Sequence, residues 1–253
     1  MDDPRSSTTV SENSVRKQSH PGRNASSFAN PLVAPFVNGL SQFQQSPTTS
    51  NWQSLKRVLH YLEGSAAHGL SFKPGSTLHL AGYFDANRTS SSEDRKSIAG
   101  YAVYFGANLV LWLSKKQRVV SRSSAKSEYR ALANVAAEII WLRSLLSELH
   151  FPLHSTPIVW CDNLSTIALA RNLVFHARTK HVEIDVHYIR DQVLQGKLSV
   201  HHVLTHDQVA YYLTKAFSSH PFHCLKAKLE VVLLPLRLRG MQVLTINTNV
   251  QDN

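Results

Sequence analysis

The sequence predicts an α/β protein built on a mixed sheet with helices packed against it, and three observations carry that expectation. Three apolar stretches, LHLAGYFDA (78–86), SIAGYAVYFG (97–106) and NLVLWLS (108–114), follow one another with polar or turn-forming residues between them. A nearly unbroken apolar run, PIVWCDN (157–163), has the character of a strand buried on both faces. Apolar residues recur every three and four positions along SEYRALANVAAEIIWLRSLLSEL (127–149), the period of an amphipathic helix.

Taken in order, residues 1–30 are rich in Ser, Thr and Asn and are expected to form a disordered arm. In PLVAPFVNGLSQF (31–43), Pro31 and Pro35 argue against a free-standing helix. Thr49 or Ser50 caps a helix whose stripe is Trp52, Leu55, Val58, Leu59 and Leu62, and Gly64 ends it. The main domain spans 76–218. It opens with the three strands, and KKQRVVSRSSAKS, basic and Ser-rich, reads as a loop. The long helix follows, with Leu132, Ala136, Ile139, Leu142 and Leu146 on one stripe, and Pro152 marks the break after it. Beyond the buried strand come helices at 165–172 and 180–196, a strand at 198–204, and a helix at 206–217. The order β β β α β α α β α, three consecutive strands and then alternation, implies a mixed sheet. Residues 219–253 form a C-terminal helix and tail, in which Pro235, Arg237 and Arg239 break an apolar stretch.

The chain has 253 residues, 27 Lys and Arg against 17 Asp and Glu, and a formal charge of +10, which favours a polyanionic partner such as nucleic acid. Two cysteines, Cys161 and Cys224, exclude a disulfide scaffold and give no reason to expect a disulfide-linked partner. No signal-like segment opens the chain and no run of about 18 apolar residues interrupts it. The expectation is an intracellular protein of the cytoplasm or nucleus, not secreted and with no membrane partner.

Three acids stand at significant places: Asp85 at the end of the first strand, Asp162 at the end of the buried one, and Glu128 at the start of the long helix. Ligands of open α/β sheets gather beyond strand ends, where strand order reverses. Acids converging there repel one another unless a hard cation such as Mg²⁺ or Mn²⁺ neutralises them. Strand-end acids also occur as plain solvated charge, and the residues by themselves leave both readings open.

The strings VLHYLEG, GYFDA, RKSIAGYAVYFG, LVLWLSKKQRVVSRSS, SEYRALANVAAEIIWL, WCDN, HARTKHVEIDVHYIRDQV and LTKAF, in this order, closely resemble the ribonuclease H domain of copia-type retrotransposon Pol polyproteins. The resemblance covers about residues 31 to 232, and within it 31–70 resembles the C-terminal end of the reverse transcriptase. It implies a ribonuclease H-like mixed five-stranded sheet with helices on both faces. It also implies metal-dependent endonucleolytic hydrolysis of RNA in RNA–DNA hybrids, with two Mg²⁺ or Mn²⁺ ions held by four acids. Carried over position by position, three acids are kept as Asp85, Glu128 and Asp162, with Asp85 bridging both ions and the other two each holding one.

The chain departs from the family pattern elsewhere. Asn87 and Arg88 replace an acid and a tryptophan, and Lys126 stands where the family has a glutamate. The fourth acid, which ends the family's Asp-Gln-Leu-Ala-Asp motif, is Tyr211 in Asp207-Gln208-Val209-Ala210-Tyr211. A tyrosine side chain, ordinarily neutral at pH 7, is a poor ligand for a hard metal. Asp207, one helical turn earlier on the expected helix, is the candidate substitute. The resemblance therefore implies a ribonuclease H impaired at its fourth ligand. The alternative is a catalytically inactive nucleic-acid-binding module or a decayed transposon remnant.

Lys115, Lys116, Arg118 and Arg122 form a basic stretch leading to Ser123, Ser124 and a helix N-terminus, a setting suited to phosphate. With Asn163 beside Asp162, they are the candidate contacts to hybrid. Such contacts read A-form shape and 2′-hydroxyls rather than base sequence. A zinc site finds no support, because His176, His181 and His187 do not share a helical face and His201 and His202 point to opposite sides of a strand.

Overall fold

The computed structural model describes residues 31–75, 78–87, 96–120, 123–151, 153–171, 183–215 and 226–233. The expected arm at 1–30, together with Arg88, Arg122, His176, His181 and Cys224, lies outside the described residues.

The core is a five-stranded mixed sheet with the order β4-β3-β2-β5-β6. Here β2 is Leu80–Asn87, β3 Ile98–Phe105, β4 Asn108–Lys116, β5 Ile158–Cys161 and β6 Ser199–His202. The first three form an antiparallel meander, and β2–β5 and β5–β6 pair in parallel, which is the mixed sheet the element order implies. The β3–β4 hairpin turns at Gly106, whose φ of 61° lies in the left-handed region that glycine enters without penalty. A three-residue strand β1 (His68–Leu70) pairs antiparallel with β7 (Val231–Leu233) as a separate ribbon. Of the expected C-terminal helix and tail, residues 226–233 are described: 226–228 are helical and lead through a turn into β7.

Helix α3 (Ser124–Glu148) crosses the sheet over β2 and buries Tyr129, Leu132, Val135, Ala136 and Ile139. Burial on this scale contributes about 1.5–3 kcal/mol for each large apolar side chain. Gly82 of β2 sets the approach, since a Cβ there would lie 2.7 Å from Ile139 Cδ1 and 3.0 Å from Val135 Cγ2. Helices α4 (Leu164–Arg171) and α5 (Glu183–Leu194) complete this face through Ile167, Ala170, Val186 and Ile189. On the other face Ala102, Tyr104 and Leu109 of the sheet pack with Leu32, Val209, Leu213, Leu229 and Val231. Helix α1 (Ala34–Ser41) touches β4. It forms despite Pro35 because the proline sits in its first turn, where no backbone donor is lost.

Helix α2 (Thr49–Gly64) is capped one residue earlier than expected, by Thr48, whose Oγ1 accepts the Asn51 N–H at 3.3 Å. Its apolar stripe is not a core stripe. Trp52 and Leu59 are exposed, and no residue of α2 is buried.

Over its described part, to residue 215, the expected helix at 206–217 is instead two short 3₁₀ segments, Thr205–Asp207 and Val209–Leu213. Gln208 separates them in an extended conformation, with φ −69° and ψ 98°. Its side chain is fully buried. Gln208 Nε2 donates to the Trp160 carbonyl at 3.4 Å, and its Oε1 accepts the Ala210 N–H at 3.3 Å. Those bonds tie the chain to β5 at the point where an α-helix would have to run straight. No described helix is long and apolar enough to cross a membrane.

Candidate active site

Asp85 lies within β2, two residues before its end, and Asp162 directly follows β5. The parallel ladder pairs Ala81 with Ile158 and Tyr83 with Trp160, and the same register carried two residues further sets Asp85 opposite Asp162. Glu128 stands in the second turn of α3, because the helix begins at Ser124 rather than at 127. It shares a helical stripe with Val135, which contacts β2 at Gly82, so its side chain points at the sheet. The carboxylate oxygens of Glu128 and Asp162 and the Cys161 sulfur all lie within 4.8 Å of one another.

The electrostatics of the cluster match its geometry. Burial first, and then the nearby charges of Asp162 and Asp85, push the Glu128 carboxyl up to about 7 against the opposing hydrogen bonds from Asn163 and Thr166. Asp85 is also raised, chiefly by burial and in part by Asp162, while the Thr214 hydroxyl and Lys215 oppose the rise. Cys161 is buried, and its thiol is pushed up to about 12, so it stays neutral and packs as a small apolar group.

Neighbouring side chains hold these acids in place. The Thr214 hydroxyl donates to Asp85 Oδ2. Thr166 Oγ1 donates to Glu128 Oε2 at 3.3 Å. Asn163 serves two masters: its Oδ1 accepts the N–H groups of Ser165 (2.9 Å) and Thr166 (3.2 Å), capping α4, and its amide bonds Glu128. Sequence reasoning read Asn163 as a contact to hybrid, and the structure gives it these internal partners. Gln117 fastens the end of β4 to α3 by donating to the Ser127 carbonyl at 2.8 Å.

The basic stretch is divided. Lys115 and Lys116 extend β4 rather than opening a loop, because Ala99 and Ile98 of β3 continue the ladder opposite them. Lys116 Nζ donates to Gln42 Oε1 at 2.5 Å. Arg118 is exposed, Ser124 opens α3, and Ser123 caps it by accepting the Lys126 N–H at 3.3 Å.

No family model matches the chain. Over 214 residues it is 44% identical to the retrovirus-related Pol polyprotein from transposon RE2 of Arabidopsis thaliana, covering 85% of this chain and 15% of that protein. The corresponding protein from transposon RE1 of the same plant is 45% identical over 208 residues, 82% of this chain and 14% of its own. The chain belongs to the Pol polyprotein family of copia-type retrotransposons. The Pol polyprotein from transposon TNT 1-94 of Nicotiana tabacum is 36% identical over 78% of this chain. The chain spans about 15% of the length of these relatives. Among solved structures, LC11 ribonuclease H1, isolated from compost, aligns at a TM-score of 0.41 and 13% identity, covering 55% of this chain and 94% of that one.

In this copia-type Pol chain the residues around Tyr211, where a fourth acid was expected, form an arrangement of their own. Tyr211 lies in the second 3₁₀ segment, edge-on to Tyr212 with ring centroids 5.9 Å apart. Lys215 Nζ sits 3.6 Å from the Tyr211 ring centroid. The structure does not bring Asp207, the expected substitute, to the acids. The break at Gln208 takes it off the face of Tyr211, and its carboxylate meets His206 Nε2 at 3.1 Å and Lys228 Nζ at 3.5 Å. Sequence reasoning assigned no role to Thr214 or Lys215, although both lie in the LTKAF string that carries part of the resemblance. Thr166 left no signal that could have marked it.

Proposed function

We propose that the chain is a retrotransposon-derived ribonuclease H that hydrolyses the RNA strand of RNA–DNA hybrids at the cluster of Asp85, Glu128 and Asp162, with activity reduced by Tyr211. The convergence of these three acids from β2, β5 and α3 is the observation that carries the reading. The donor set suits Mg²⁺ or Mn²⁺. Its ligands are carboxylate oxygens, two of them raised by burial and by the neighbouring acids, and the adjacent thiol is neutral. A bound divalent ion supplies charge neutralisation at the phosphodiester and activation of the attacking water.

The chain's own residues do the rest. Thr214 fixes the Asp85 carboxylate, and Thr166 and Asn163 fix that of Glu128, so the oxygens are preorganised. Lys115, Arg118 and Arg122, with the α3 N-terminus at Ser124, steer and seat the phosphate backbone. An RNA strand is preferred because a 2′-hydroxyl beside the acids distinguishes it from DNA.

The second reading, a binding module without catalysis, is favoured by Tyr211 standing where the family pattern has an acid, with Lys215 docked on its ring. A substrate panel separates the two. Hybrid, duplex RNA, duplex DNA and single-stranded RNA are incubated with the full chain in Mg²⁺ and in Mn²⁺. Cleavage confined to the RNA strand of the hybrid supports the enzyme. Hybrid binding without cleavage in either ion supports the module.

A further inference from the structure

Lys215 is placed more closely than an ordinary surface lysine. Gly100 lets the segment bearing it come down onto β3: a Cβ at Gly100 would lie 2.7 Å from Leu213 Cβ and 3.0 Å from Thr214 Cγ2. Thr214, the preceding residue, reaches the Tyr211 carbonyl through its N–H at 3.3 Å and bonds Asp85 through its hydroxyl. The ammonium is then held over the Tyr211 ring at 3.6 Å from the centroid, a geometry that attracts a cation to the face of the ring. It is the positive charge that acts on Asp85, whereas the other charges acting on Asp85 and Glu128 are acids.

We propose that the Lys215 ammonium, docked on Tyr211, is the built-in cation of the acid cluster, so that this site takes up one divalent ion rather than two. The inference rests on the metal-dependent reading above. In the family pattern a carboxylate at position 211 would add a negative charge beside the lysine of the LTKAF string; here a phenol stands there, and that lysine's ammonium docks on its ring. The three remaining acids then face one fixed positive charge, which leaves electrostatic room for a single divalent ion. Lys215 is thereby a positioning residue that sets ion number, and it is not assigned a place in the bond-breaking step.

The test is a Mn²⁺ titration of the full chain, with free ion read by electron paramagnetic resonance, so that it does not depend on cleavage. Wild type should bind one Mn²⁺. Lys215→Met should bind Mn²⁺ more tightly, by roughly three- to tenfold, the scale of one screened charge at short range. Lys215→Arg, which keeps both the charge and the ring contact, should stay within about twofold of wild type, and it covers the case in which Lys215→Met does not fold. Two ions in wild type, or an unchanged or weaker affinity in folded Lys215→Met, overturns the proposal while leaving the metal-dependent site standing. No Mn²⁺ binding by wild type or either variant overturns both readings. Weakened hybrid binding at unchanged Mn²⁺ affinity assigns Lys215 to substrate phosphate and overturns the proposal as well.

Discussion

Gly100 lies directly opposite Asp85 in the β2–β3 ladder, and the space its missing side chain leaves is filled by Leu213 and Thr214. The hydrogen bond from Thr214 to Asp85 exists because this position carries no Cβ. Gly100→Ala is therefore predicted to destabilise the fold by about 1–3 kcal/mol, the usual cost of overpacking a close contact. Urea denaturation followed by circular dichroism measures it. A variant as stable as wild type would mean the 3₁₀ segment shifts freely and does not fix Asp85.

Tyr211→Asp should restore activity on hybrid. It returns a carboxylate to the fourth position and removes the ring on which Lys215 docks. Since losses around metal sites cost about 10–100-fold, the expected gain is at least roughly tenfold, larger in Mg²⁺ than in the less exacting Mn²⁺. Asp207→Asn should leave that activity unchanged, because Asp207 is engaged with Lys228 and His206. A folded but silent Tyr211→Asp would locate the lesion at Asn87 or Arg88 instead.

The pH dependence of metal-free stability has a definite sign. Glu128 is raised from 4.5 to about 7 in the folded protein, mainly by burial, so folding favours its protonated form. That contribution is fully present below about 4.5 and is lost as pH rises through about 7, and the raised Asp85 acts in the same direction. In EDTA the melting temperature should fall between pH 5.5 and 7.5, and Glu128→Gln should flatten that fall. A Glu128→Gln profile parallel to wild type would show that this carboxyl is not the titrating group.

Hybrid binding should weaken steeply with salt. If Lys115, Arg118 and Arg122 each meet a phosphate, affinity drops roughly 20- to 40-fold between 50 and 200 mM salt, from a logarithmic slope of about −0.7 to −0.9 per contact. Fluorescence anisotropy of a labelled hybrid measures the slope, and Arg118→Ala should reduce it by about one contact. A flat response to salt would remove the phosphate-tracking surface from the account.

What the sequence revealed divides along physical lines. The helix α3 and most strands of the sheet were legible because their periodic patterns survive wherever one face is buried, and β5 was legible as a nearly unbroken apolar run. Boundaries moved by one to three residues where a cap or ladder decided them, as with Ser123 at α3 and Ala99 opposite Lys115. The 3₁₀ break at Gln208 was not legible, because it depends on a buried amide reaching the Trp160 carbonyl across 48 residues. The β1–β7 ribbon was hidden for the same reason: it pairs two three-residue segments far apart in the sequence, His68–Leu70 and Val231–Leu233. Asp85, Glu128 and Asp162 stood out through their places at strand ends and a helix start and through the family resemblance, whereas Thr214, Thr166 and Lys215 acquire their roles only from tertiary contact. The α2 stripe is periodic yet only partly covered, with Leu55, Val58 and Leu62 half-buried but Trp52 and Leu59 exposed, so periodicity alone overstated the core there.

The central claim is that Asp85, Glu128 and Asp162 form one metal-dependent site for hybrid hydrolysis. The most direct measurement is Mn²⁺-supported cleavage of the RNA strand of a hybrid by the full chain, compared with Asp85→Asn and Asp162→Asn prepared identically and confirmed folded. The account predicts slow cleavage by wild type, abolished by EDTA and reduced at least about 100-fold in either variant, since a lost ligand should cost no less than a lost supporting residue. Cleavage that persists undiminished in Asp85→Asn and Asp162→Asn would contradict it.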